Sequence, residues 1–592
     1  MSTGDTVLNS YDAGHQPYIH DPKRGKWENQ WDFYLACFTN VFSMRNFVMF
    51  AALMHISGGG YIFLPILINT FLYLIPVFFV QSFMGQFSST GYITVFRVSP
   101  LFKGIGYIIL ALNFSSVIYG SSVATFPFLF FLKSFQLNTT WMYCDNSWNS
   151  ENCTETSDRG PYIQSNDLNI SDSLEPLYEY YYHGIVKVSY DPDVKDISWP
   201  MILGELLIWI VVGCVIFRGI KVVGQFLRYT TIITAGIAFI LFIRTLCLPE
   251  LILTTSKLFD VRGRAGLLHP LPWVISPLLC SAALGKGWGT TLTLASFQPF
   301  RKNTEAYSTW IPVVMMTVAM ICGYMVAIIG VFVSCRTPMA LHFFDFDSFE
   351  YLFIAVPYFF GKLEASQMWS MLFYLMLFLS ELNSVIIRTF AIVTSLCDEY
   401  VQLRRWKYEL GVGLCAICFL LSTIFGTEYF AYAYRQFSSS GYTNQLLISF
   451  LEILIIVWIY GRERFLRDVR FMLVRNISVV KFYILRFISP ICILISAVIH
   501  GLTTVLVMIE EPTPIHVHSV IFIVKGLPWV FIPWYMIAKL LATIGTIPER
   551  FRKCTRPMDW YPADPVDRQK YEMALGASDV SQQLLEMNDS VL

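Results

Sequence analysis

The sequence predicts an all-α membrane protein of twelve spanning helices. Three observations carry that expectation: the bulk composition, a series of apolar windows long enough to span, and the alternation of basic connections between them. Of 592 residues, 55% are hydrophobic, 16% aromatic and only 14% charged. That is more apolar surface than a water-soluble core needs. Formal net charge is zero, so composition gives no basic footprint for a nucleic-acid partner, and a lipid bilayer is the expected surrounding.

The polar N-terminal stretch, residues 1–31, has no signal-peptide core, so the first apolar segment should insert and stay. Windows able to cross about 30 Å of hydrocarbon then run over residues 32–56, 61–84, 104–132, 199–217, 224–247 and 271–297. A second series covers 310–334, 367–397, 408–426, 443–461, 482–508 and 519–545, leaving 546–592 as a tail. Lys23, Arg24 and Lys26, then Arg97 and Lys103, Arg218 and Lys221, Arg301 and Lys302, Arg404 and Arg405, Arg462 to Arg475, and Arg550 to Lys553 fall in alternate connections. The positive-inside rule makes these cytoplasmic, together with both termini.

The long loop 133–198 is then outside. It carries three glycosylation sequons, at Asn138, Asn152 and Asn169, and two cysteines, Cys144 and Cys153, in a polar setting. An oxidising compartment would join that pair. The other cysteines of the thirteen are scattered through apolar segments, where they read as small buried hydrophobes. At the other end, Asp589-Ser590-Val591-Leu592 is a pattern able to add a strand to a PDZ-domain groove.

Two segments depart from ordinary membrane helices. The first carries Asn40, Ser43, Arg45 and Asn46, and the sixth is interrupted by Leu284-Gly-Lys-Gly-Trp-Gly289. A break at bilayer depth survives only where it is buried in protein or lines a cavity. Lys286 adds a charge costing roughly 2.5 to 3.5 kcal/mol at a helix centre, which marks a functional position. The interruptions are five segments apart, and matched interruptions in two halves point to an inverted-repeat transporter with its substrate site between them. On the eighth segment Glu381, Ser384 and Arg388 are spaced to share one face. Glu381 is expected to pair with Lys286 or Arg388.

The chain resembles the neurotransmitter:sodium symporters, solute carrier family 6. The resemblance runs through Arg24-Gly-Lys-Trp27, Gly58-Gly-Gly60, Gly85-Gln-Phe-Ser-Ser89 and Leu101-Phe-Lys-Gly-Ile-Gly-Tyr107. It continues through Cys144-Asp-Asn, Glu151-Asn-Cys153, Pro299-Phe300, Trp458-Ile-Tyr-Gly461 and Arg464-Phe465. It implies a leucine-transporter-like fold, with residues 32–247 and 271–461 as inverted repeats, 482–545 as two extra helices, and alternating access around a central site.

Carried over by position, the family's inner gate falls on Arg24, Trp27, Phe297 and Asp398, with Phe297 in place of a tyrosine. The central cavity falls on Ser43, Arg45, Tyr119, Gly120, Lys286, Gly287, Trp288 and Arg388. Ser43-Met-Arg-Asn-Phe-Val-Met-Phe-Ala-Ala52 replaces the family's Gly-Leu-Gly-Asn-Val-Trp-Arg-Phe-Pro-Tyr, so the glycines that unwind the first helix are lost. The outer-gate arginine becomes Met49 and its acidic partner Arg435, so that ion pair cannot form.

The sodium site beside the substrate would keep Asn46 but meets Ala283 and Met315 where the family supplies oxygens. It is expected to be lost, because a hard cation needs several oxygen ligands. The second sodium site is expected to persist on Asn383 and Ser384 with backbone carbonyls near Val41 and Ser380. The chloride site, facing Ala319 and Gly120, is not expected to persist. No catalytic constellation is present and no enzyme activity is expected.

The resulting expectation is a plasma-membrane carrier of a small organic solute, such as an amino acid or related osmolyte, with sodium as its coupling ion or with altered coupling. Two alternatives remain open. One is a transport-inactive family member serving as partner or sensor; the other is a sodium-independent exchanger or uniporter for an anionic solute.

Overall fold

In the computed structural model the described residues are 20–575 apart from 22, 57–59, 137–139, 152, 154–175, 188–196, 250, 260–267, 269–270, 286–288, 335–348, 350, 428–440, 511–518, 520–521 and 558. The described chain is helical, with nine helices long and apolar enough to cross a membrane, or ten if the bent pair Phe522–Ala542 and Ile547–Thr555 contributes one. The first and sixth apolar windows of the sequence are missing from that tally for a physical reason: each is broken into pieces too short to span alone.

The first is split into α1, Gln30–Phe38, and α2, Met44–Ile56, by a tight turn over Thr39–Phe42. Asn29 caps α1 by accepting from the Trp31 amide, supplying one acceptor for the unpaired donors of a helix start. Ser43, extended at ψ 144°, ends the turn before α2 begins. Helices α3, Gly60–Ser88, α4, Pro100–Lys133, α5, Trp199–Phe217, and α6, Ile220–Leu246, follow. The sixth window is split into α7, Leu271–Ala283, and α8, Thr290–Ala295. Gly285 and Gly289, at φ +90° and +70°, flank the break in conformations that favour glycine.

Beyond it run α9, Thr304–Val333, α10, Ser366–Glu399, α11, Val401–Gly426, and α12, Gly441–Ile459. An amphipathic helix α13, Arg462–Leu473, precedes α14, Val479–Leu506, then α15, Phe522–Ala542, and α16, Ile547–Thr555, bent by 115° from it.

Packing puts the broken helices at the centre. Helix α10 lies against α4, α6 and the Thr39–Phe42 turn; α1 lies against α6, α2 against α9, and α8 against α3. Helix α10 is mostly enclosed, while α11 turns much of its apolar surface outward, as a lipid-facing helix does. Close approach is fixed by glycine at one contact in particular: a Cβ at Gly85 would stand 2.0 Å from the Leu292 carbonyl oxygen, so α3 and α8 touch backbone to side-chain-free backbone.

Candidate functional site: two helix breaks and the Arg24–Asp398 ion pair

At one end of the bundle the chain before α1 packs against the ends of α8 and α10. Arg24 Nε donates to Asp398 Oδ1 at 3.0 Å and Nη2 to Oδ2 at 3.0 Å. Its Nη1 donates to the Ser296 carbonyl at 3.0 Å and Nη2 to Ser296 Oγ at 2.6 Å. The guanidinium lies 4.1 Å from the centre of the Phe297 ring. Asp398 Oδ2 also accepts from the Gly91 amide at 2.8 Å, so a two-point ion pair ties together the N-terminal tail, the loop after α3, the end of α8 and the end of α10. Trp27 adds two bonds to the same region, Nε1 to the Leu294 carbonyl at 2.9 Å and its amide to the Phe297 carbonyl at 3.3 Å. One turn deeper, buried Asp32 pairs with Arg228 of α6 at 3.2 Å. Ser296 and Arg228 belong to this cluster although nothing in local sequence singles them out.

The first break frees carbonyl groups at bilayer depth, and side chains satisfy them. Ser380 Oγ of α10 donates to the Thr39 carbonyl at 3.0 Å. Asn46 Nδ2 donates to the Asn40 and Val41 carbonyls at 2.9 and 3.1 Å. Turning that amide over would set Oδ1 against two carbonyl oxygens, so the nitrogen faces them. Glu381 accepts from the Met44 amide at 2.9 Å and thereby caps the N-terminus of α2 with a negative charge, as the helix dipole favours. Asn383 accepts from Thr230 Oγ1 at 2.9 Å and donates to Thr39 Oγ1 at 3.2 Å.

Arg388 is 1% exposed, and all its hydrogen bonds go to Ser384 and Ser116. Nε donates to the Ser384 carbonyl at 2.9 Å, Nη2 to Ser384 Oγ at 3.0 Å, and Nη1 to the Ser116 carbonyl at 2.9 Å and Oγ at 3.2 Å. The pairing of Arg388 with Glu381, one of the two expected from the shared face, therefore does not form; each is instead drawn to a freed or accessible backbone group. Gly120 makes the room, because a Cβ there would lie 3.1 Å from Nη2.

At the second break Gln445 Nε2 of α12 donates to the Ser281 and Gly285 carbonyls at 2.9 and 3.3 Å, closing the end of α7. Between α12 and α2, Tyr442 Oη donates to Met49 Sδ at 2.7 Å, and Arg45 lies 4.8 Å over the Tyr442 ring. Of the residues predicted for the cavity, Arg388 and Gly120 come together, Ser43 is buried at the turn, and Tyr119, also buried, faces Lys525 at 5.8 Å. Lys286, Gly287, Trp288 and Arg435 lie outside the described residues, as do Asn138, Asn152, Asn169 and the terminal Asp-Ser-Val-Leu. Cys144 and Cys153 are joined by a disulfide.

Two apolar segments, each broken into short helices and meeting where Gly285 lies against Asn40, belong to a multi-pass membrane protein. The chain belongs to the Sodium:neurotransmitter symporter family, whose pattern it matches over residues 24–543, a family of transporters and not of enzymes. It is 27% identical over 570 residues to the sodium- and chloride-dependent glycine transporter 1 of Xenopus laevis, covering 91% of this chain and 88% of that protein. It is 24% identical to the sodium- and chloride-dependent creatine transporter 1 of Bos taurus, covering 91% and 86%. It is 25% identical to the sodium-dependent nutrient amino acid transporter 1 of Drosophila persimilis, covering 96% and 88%.

Proposed function

We propose that this chain is a secondary transporter of the plasma membrane that moves a small organic solute, of the amino-acid or amino-acid-derived osmolyte class, by alternating access. In this reading α1–α2 and α7–α8 each count as one span. The total is then twelve, with 32–247 and 271–461 as inverted repeats, 482–545 as two added helices, and both termini cytoplasmic. Similarity to carriers named for glycine, creatine and nutrient amino acids supports the solute class.

The observation that carries the mechanism is the Arg24–Asp398 pair, because it fastens the chain ahead of α1 across the cytoplasmic ends of α8 and α10. Opening to the cytoplasm requires this pair to part. Truncating one partner of a buried ion pair costs about 3 to 5 kcal/mol, enough to shift a balanced two-state equilibrium almost wholly to the open side. Asp398→Ala is therefore expected to raise modification of buried Cys37 by a maleimide applied from the cytoplasmic side at least tenfold. Uptake of a labelled amino-acid and osmolyte panel into cells tests the solute class. Unchanged Cys37 labelling would remove the latch role, and absence of uptake for every solute would favour the partner or sensor reading.

A further inference from the structure

We infer that tethered hydrogen-bond donors take the place of the sodium ions at the core of this protein, so that its conformational cycle does not depend on sodium. The inference deepens the transport reading by naming the ion coupling of that same site, and it rests on which groups converge on the helix breaks.

A hard cation is held by several oxygens that turn unshared lone pairs toward one point. Around the Thr39–Phe42 turn, donors do the converging. Asn46 Nδ2 bridges the Asn40 and Val41 carbonyls, so a nitrogen bearing hydrogens stands between these two oxygens. Ser380 turns its hydroxyl proton to the Thr39 carbonyl. Asn383, whose oxygen accepts from Thr230, presents its nitrogen to Thr39 Oγ1.

The fourth group is a full charge. Arg388 holds both the carbonyl and the hydroxyl of Ser384 through Nε and Nη2. The fixed guanidinium supplies at this point the positive charge an ion would bring, and a sodium ion placed on Ser384 Oγ would face it directly, with like-charge repulsion unscreened by water. Gly120 and Ser116 across on α4 complete a seat shaped for the arginine, since any side chain at Gly120 would press on the guanidinium. At the second break the same solution appears with Gln445, whose amide closes the Ser281 and Gly285 carbonyls. Among the described residues, the Thr39, Asn40 and Val41 carbonyls of the first break and the Ser281 and Gly285 carbonyls of the second accept from side chains of the chain itself, which lowers the demand for bound cations that bilayer burial otherwise creates.

The test uses the purified full-length protein in lipid nanodiscs, with thermal unfolding followed in sodium, potassium or choline chloride at equal ionic strength. A ligand that binds only the folded state raises the melting temperature by mass action. The expected result is the same melting temperature in all three salts, and no displaceable binding of radioactive sodium. A saturable, sodium-specific rise, or displaceable sodium binding, overturns the inference. Arg388→Leu, which frees Ser384, is expected to gain a sodium-specific rise. If that variant fails to fold, Ser380→Ala, which frees the Thr39 carbonyl, is read instead. A folded variant of each kind that still ignores sodium overturns the role given to the donors. None of these readouts involves solute movement, so absence of uptake would sink the transport proposal alone, whereas sodium binding would sink this one alone.

Discussion

His20 lies beside Arg24 and lines, with Asp21, Lys26, Ser296 and Asp564, a cavity of about 280 Å³. Burial, and next the positive charge of Arg24, hold its imidazole below the usual 6.5. In the open state, away from Arg24, the ring regains its ordinary value. A group whose value is depressed in the closed state stabilises closure in full above about 6.5, and that contribution is lost as pH falls toward the depressed value. Acidifying the cytoplasmic side should thus loosen the latch. The size is a few-fold at most, because His20 is an exposed residue. The measurement is Cys37 labelling against pH in wild type and His20→Gln; a rise below neutrality that persists in His20→Gln would assign the effect elsewhere.

The helices themselves were largely legible from hydropathy, since a lipid-facing or protein-buried span must be apolar whatever it packs against. The two breaks were legible as polar and glycine interruptions, although Ser43 and Arg45 stand where flexibility alone would call for glycine. What local sequence cannot encode is the identity of the groups that satisfy a break. Gln445 reaches Gly285 across 160 residues, and Ser380 reaches Thr39 across 341. The direction of Arg388 was hidden for the same reason: a shared helical face puts Glu381 near it, but the seat is cut by Gly120 on another helix. Helix-to-helix fit is likewise a two-helix property. Gly85→Ala would drive a methyl onto the Leu292 carbonyl, a backbone atom that cannot rotate away. Overpacking of this kind costs about 1 to 3 kcal/mol, so the variant is expected to melt several degrees lower and to separate α8 from α3. An unchanged melting temperature would mean that α8 shifts freely along α3.

On the scale of the whole molecule, the stretch after α16 returns to the end of the bundle that carries Arg24 and is anchored there by the Asp468 carboxylate. Asp468 of α13 is fully buried; Trp560 Nε1 donates to Oδ2 at 3.1 Å, Tyr571 Oη donates to Oδ1 at 2.8 Å, and Tyr460 Oη donates as well. Phe87, at the end of α3, stacks on Trp560 at 5.0 Å and meets Tyr571 edge-on at 5.5 Å, while Arg301 reaches Asp567 at 3.4 Å. These contacts join α3, the segment after α8 and α13 to a stretch of chain that also walls the cavity beside Arg24. No periodicity announces such a strap, because it is held by a few aromatic and polar anchors and not by an apolar helix face. Hydrogen bonds to a charged acceptor contribute about 1.5 to 3 kcal/mol each, and two of them come from the strap. Asp468→Ala should therefore increase the undocked fraction by on the order of a hundredfold or more. Hydrogen exchange over residues 560–575 is expected to accelerate by that factor while exchange within α10 stays unchanged. Exchange that accelerates equally in both regions would show that Asp468 supports the bundle as a whole, and the strap would then have no separable docking equilibrium.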